Sequence, residues 1–171
     1  MDHHETDRWP TFELVTLRIA PDLPSAGQVL ATPGVPKRII GREFSALSEA
    51  RLVTIESGRE LIAFGSSGLR GVVCLDPANG TIVHVPTLDR SQINPVNSDI
   101  DRFTACVAAV IERFPFYSDD DEFGLWEAVG DELAEMLARI DETTATHNCF
   151  WVTFVDDVRM GDYSTPMIVD K

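Results

Sequence analysis

In the first half of the chain, apolar residues come in short runs of strand length, punctuated by glycine, proline, asparagine and aspartate. Residues 12–19, rich in Leu, Val, Thr and Ile, read as a strand closed by Pro21 and Pro24. Residues 25–31 read as a short helix, and Thr32-Pro33-Gly34-Val35-Pro36 breaks the chain. Three further runs follow, at 60–65, 71–75 and 81–85. The last two flank Asp76-Pro77-Ala78-Asn79-Gly80, which has turn residues where a tight reversal needs them. The three runs predict an antiparallel meander, with 51–55 and 38–44 as added edge strands.

In the second half the apolar period changes to three and four. Ile100, Phe103, Val107, Val110, Ile111 and Phe114 form one stripe that ends at Pro115. Ser98 precedes Asp101 by three residues, the spacing of a capping box, so Ser98 is the expected N-cap. A second helix is predicted over 123–140, burying Trp126, Val129, Leu133, Leu137 and Ile140. A third is predicted over 148–160 and stops at Gly161, although 150–155 also fits a strand. Strands followed by helices, rather than a βαβ alternation, predict an α+β fold in one domain. Its central, largely antiparallel sheet is flanked by helices.

The 171 residues suit a single core, and 44% hydrophobic content supplies it. No apolar run approaches the roughly 20 residues of a membrane span, and residues 1–8 lack the apolar stretch of a secretory signal. Cys74, Cys106 and Cys149 are odd in number and lie in apolar contexts, so they are expected to be reduced and mostly buried, in a cytoplasmic protein. With 28 acidic and 14 basic residues the formal charge is −14. That disfavours nucleic acid and favours basic partners.

Catalytic patterns do not emerge. No His or Cys pair has zinc-ligand spacing, and no Gly-rich loop has a phosphate-binding pattern. No nucleophile elbow anchors a Ser-His-Asp set. Cys74 lies between Val73 and Leu75 in a predicted strand, where a buried thiol is inert unless a cation activates it. Neither catalytic residues nor metal ligands nor a cofactor site are expected, and the chain is not expected to be an enzyme.

The negative charge is concentrated. Between Asp119 and Glu142 lie ten acidic residues and one basic residue, Arg139. Asp119, Asp120 and Asp121 precede the second helix and suit the positive end of its dipole. Glu127, Asp131 and Glu135 stand at successive i, i+4 positions, where like charges repel by roughly 0.2–0.5 kcal/mol per pair. Helix stability alone would place a cation in that ladder. These residues, with Glu132 on the same helix, are therefore the candidate partner-binding set, for a basic protein partner. A solvated face in an acidic protein is the alternative.

One stretch matches a known pattern. Val73-Cys74-Leu75-Asp76-Pro77-Ala78-Asn79-Gly80-Thr81-Ile82, then Val96-Asn97-Ser98-Asp99-Ile100 and Phe103, resembles the SUKH superfamily of immunity proteins, in particular the actinobacterial subgroup numbered four. Gly34-Val35-Pro36, Ile140-Asp141, Phe150-Trp151 and Gly161 are similar to its flanking positions. The resemblance implies an α+β fold, no enzymatic activity, and binding of a cognate bacterial toxin, often a nuclease or nucleic-acid deaminase. A regulatory or scaffold module of the same fold is the alternative function. The resemblance divides the chain into an N-terminal extension (1–24, a strand plus a frayed terminus), a SUKH-like domain (25–161) and a C-terminal tail (162–171). Leu75, Asp76, Gly80, Asn97, Ser98 and Phe103 read as residues that make the fold.

Overall fold

The apolar runs of the first half form strands in the computed structural model, which describes residues 10–41, 43–117, 123–145 and 147–163. The strands are β1 (Leu14–Val15), β2 (Arg18–Ile19), β3 (Val35–Pro36), β4 (Ser45–Thr54), β5 (Glu60–Ser66), β6 (Gly71–Leu75), β7 (Ile82–Pro86) and β8 (Asn94–Asn97). The helices α1 (Ile100–Arg113), α2 (Phe123–Ile140) and α3 (Cys149–Arg159) follow. Six strands make one sheet in the order β2-β4-β5-β6-β7-β8. Every neighbouring pair is antiparallel except β2 and β4, so the sheet is mixed. β1 and β3 form a separate antiparallel pair. The fold is α+β, a single domain whose helices pack against the sheet.

The β5-β6-β7 meander is present as the turn chemistry predicts. Ile62 pairs with Leu75, and Leu75 with Ile82. Asp76 Oδ1 accepts from the Ala78 N–H at 3.0 Å, and Gly80 holds φ +78°, a left-handed conformation that glycine adopts without strain.

Several expectations are corrected. Residues 12–19 break into two two-residue strands with different partners, since Leu14 and Val15 pair with β3 while Arg18 and Ile19 pair with β4. The short helix expected at 25–31 is present, as the 3-10 helix Ser25–Leu30. β4 is no edge strand, because β2 and β5 both pair with it, and the segment 38–44 contributes only a bridge from Arg38 to Ser45. Residues 150–155 are helical, as the third predicted helix has them, and the strand alternative falls away. The N-cap of α1 is Asp99, whose side chain accepts from the Arg102 N–H at 2.7 Å, so Ser98 is not the cap. The thiols are mostly buried as expected, Cys74 and Cys106 fully, while Cys149 is exposed.

The main core lies between the helices and one face of the sheet. Phe44, Phe64 and Phe103 meet there with ring centroids 5.1–6.0 Å apart, and all three are fully buried. Each such side chain contributes about 1.5–3 kcal/mol relative to exposure. Gly161 ends α3 at φ +86° and lies against the Trp126 ring, a place where a Cβ has no room.

Candidate partner-binding site

Helix α2 shows its predicted stripe inward: Leu133 and Leu137 are buried, and Trp126, Val129 and Ile140 pack against the core. The outer side carries Glu127, Asp131, Glu132 and Glu135, all exposed. Two arginines from the flanking helices divide this set. Arg113, the last residue of α1, grips Glu132 with two bonds, Nε to Oε1 at 3.0 Å and Nη2 to Oε2 at 3.1 Å. Arg159, the last residue of α3, reaches Asp131 Oδ1 through Nε at 3.1 Å and Nη2 at 2.8 Å. Its Nη1 holds Asp156 at 2.7 Å.

Gly130 makes the second clamp feasible. A Cβ at that position would collide with Arg159 Cγ, so the bare backbone is what lets the arginine stem cross the helix. Both clamps are solvent-exposed, which limits each ion pair to about 1 kcal/mol or less. The hydrogen bond from Arg113 nevertheless holds the Glu132 carboxyl below the usual carboxylate range.

The predicted set thus divides into two kinds of residue. Asp131 and Glu132 fasten α2 to its neighbours. Glu127 and Glu135 have no ion-pair partner among the described residues. Asp119, Asp120 and Asp121 lie outside the described residues.

Two positions of the family pattern that lie far apart in sequence, Asn97-Ser98 and Asp141, meet in space, a contact that spacing does not record. Asn97, at the end of β8, is 1% exposed and Asp141, just after α2, is 4% exposed. Asp141 Oδ2 accepts from Asn97 Nδ2 at 2.9 Å, from the Ser98 N–H at 2.8 Å and from Ser98 Oγ at 3.2 Å. Its Oδ1 accepts from the Thr143 N–H at 3.1 Å. Asn97 Oδ1 in turn accepts from Trp151 Nε1 at 2.9 Å. Asn148 caps α3 and donates to the Val96 and Thr143 carbonyls at 2.7 and 2.9 Å. Burial alone would raise the Asp141 carboxyl, but the donors from Ser98, Asn97 and Thr143 outweigh it and hold the group below its ordinary value. The network joins β8, α2 and α3, and its role is structural.

Leu75 and Phe103 are buried apolar residues, 3% and 0% exposed. Asp76, 1% exposed, also pairs with Arg59.

Two groups invite a catalytic reading. Ser67 Oγ lies 2.8 Å from His84 Nε2, the contact a nucleophile makes with its base. Yet Ser67 is 2% exposed and its backbone closes the turn to Gly71, so a substrate carbonyl has no approach. Burial, and then Arg70, push the imidazole down from its ordinary value. The Cys74 thiol is fully buried, and desolvation pushes it up to about 12, the opposite of activation. Among the described residues no three His, Cys, Asp or Glu side chains cluster to hold a metal, and no helix is long and apolar enough to cross a membrane.

The family model described as SUKH-4 immunity protein matches residues 23–157. That is most of the chain, from before the 3-10 helix to the last turn of α3, and the chain belongs to this family. No curated protein and no solved structure matches it.

Proposed function

We propose that this member of the SUKH-4 family is a cytoplasmic immunity protein that binds a cognate bacterial toxin, a nuclease or nucleic-acid deaminase, and neutralises it by occlusion. The family match over 23–157 carries the reading. The docking surface is the outer side of α2, where Glu127 and Glu135 have no ion-pair partner among the described residues and Asp131 and Glu132 are each held by an arginine. Enzymes acting on nucleic acid need cationic substrate grooves, and an acidic helix laid along such a groove blocks it electrostatically while raising the association rate.

The experiment is co-expression with the toxin domain encoded beside the gene. A stable complex and rescue of growth are expected. A toxin that kills unabated, with no complex on co-purification, would remove the reading.

A further inference from the structure

The sheet has a second face that no helix covers among the described residues. Ile55, Leu61, Ala63, Cys74, Val83 and Val85 form a separate buried cluster there, bordered by half-buried Leu47, Val53, Val72 and Ile93, and no helix residue takes part in it. One end of this face is hollow, with a cavity of about 350 Å³. Its floor is apolar, from Val53, Val72 and Val85, and its polar rim is Arg51, Thr87 and Arg90. Among the described residues no acidic one lines it.

The two guanidiniums are available for pairing with a partner, as are those of Arg38 and Arg139, but only Arg51 and Arg90 rim this hollow. Acids outnumber bases 28 to 14, and Arg18, Arg59, Arg70, Arg102, Arg113 and Arg159 each hold a carboxylate. Arg51 and Arg90 are exposed and have no ion-pair partner among the described residues. Beside them stand the two most exposed large apolar side chains among the described residues, Leu88 at 99% and Leu69 at 97%. Thr87 ties their loops together, donating through Oγ1 to the Leu69 carbonyl at 3.1 Å and through N–H to the Arg70 carbonyl at 2.9 Å. An apolar floor, projecting leucines and unpaired arginines within an otherwise anionic molecule make a surface of opposite sign to α2.

We propose that this helix-free face is a second docking surface, and that it takes a partner-protein segment in which carboxylates alternate with apolar side chains. The apolar residues fill the hollow and cover the leucines, and the carboxylates meet Arg51 and Arg90 in charge-assisted pairs. A second copy of the chain is a poorer occupant, because two bodies of charge −14 repel. The inference stands independently of the toxin-binding role of α2.

The test uses the full chain labelled for amide NMR, with a short peptide of alternating leucine and glutamate as probe and its leucine–lysine counterpart as control. Saturable shifts are expected at Arg51, Val53, Val72, Val85 and Arg90 with the glutamate peptide alone. Arg51→Glu with Arg90→Glu should weaken that binding by about tenfold or more. Both arginines are exposed, so the double variant keeps its fold, and an unchanged spectrum elsewhere in the sheet verifies this. The proposal is overturned if the shifts map to another surface, if the double variant binds as well as the parent, or if acetate alone reproduces the shifts. It is also overturned if the free chain is already a dimer whose interface is this face.

Discussion

Asp141 and Glu127 are carboxylates at opposite ends of the same helical region, and they do opposite work. Asp141 is buried, accepts four hydrogen bonds and joins three elements. Glu127 is exposed, has no ion-pair partner among the described residues and stands one turn from the like charge of Asp131. A buried charge survives only where donors replace its water, so its neighbours are fixed by the fold. An exposed charge is free of that demand, and the fold does not require one that repels its own helix neighbour. The resemblance to the immunity family rests on residues of the first kind, whereas the proposed binding rests on the second.

Removing Asp141 tests the first half of the comparison and has the largest effect. Asp141→Ala leaves Asn97 Nδ2 and the Ser98 and Thr143 N–H groups without their acceptor. Bonds to a charged acceptor contribute about 1.5–3 kcal/mol each, so a loss of at least about 3 kcal/mol is expected. Urea unfolding should show a lower midpoint with unchanged slope. A loss below about 1 kcal/mol would mean that water satisfies these donors and that the network is not what joins β8 to α2.

The same carboxylate predicts the acid limb of stability. Its folded-state value lies below the unfolded value of about 3.9. The contribution is therefore complete above about pH 4 and is lost as pH falls through the folded-state value. Asp141→Asn should flatten that limb in urea titrations carried below about pH 4. His84, also lowered, acts in a separate window, its loss beginning as pH drops below about 6.5. A limb unaffected by Asp141→Asn would transfer the effect to exposed acids such as Glu132.

How legible these features are in the sequence depends on how far apart their partners lie. The stripes of α1 and α2 and the turn at Asp76 to Gly80 are local, and they read off spacing and turn chemistry alone. The capping-box spacing at Ser98 misleads because the acceptor that its N–H and hydroxyl reach, Asp141, is 43 residues away. β8, Asn94-Pro95-Val96-Asn97, looks like a loop by composition and becomes a strand only by pairing with β7. The apolar run at 12–19 reads as one strand because nothing local records that its two halves have different partners. The α2 acids were visible as a ladder. That Arg113 and Arg159 neutralise two of them was not, because both arginines sit on other helices.

The clamps offer a graded test. Arg159→Met keeps a stem that crosses Gly130 and removes the charge that holds Asp131 and Asp156. Since these pairs are exposed, a loss of about 0.5–1 kcal/mol is expected in urea unfolding. The same change frees Asp131 into the outer face. Association with a basic toxin, read by stopped-flow at low salt, should therefore become faster while the fold becomes weaker. Slower association would place Arg159 itself in the interface and break the division between fastening and docking.

The smallest effect on stability discriminates best on function. Glu127→Lys replaces a like-charge i, i+4 neighbour of Asp131 with an opposite one, and should raise stability by about 0.5 kcal/mol. Glu135→Lys gains on the Asp131 side and loses on the Arg139 side, so its net effect on stability should be close to nil. Both remove negative charge from the proposed docking face, so both should slow toxin association in a manner that fades as salt is added. A protein selected only for its own stability would do better with the first substitution. If Glu127→Lys is more stable and also associates at the parental rate at low salt, the acids of α2 are solvation alone. The toxin must then dock elsewhere, and the arginine-lined face of the sheet is the next surface to test.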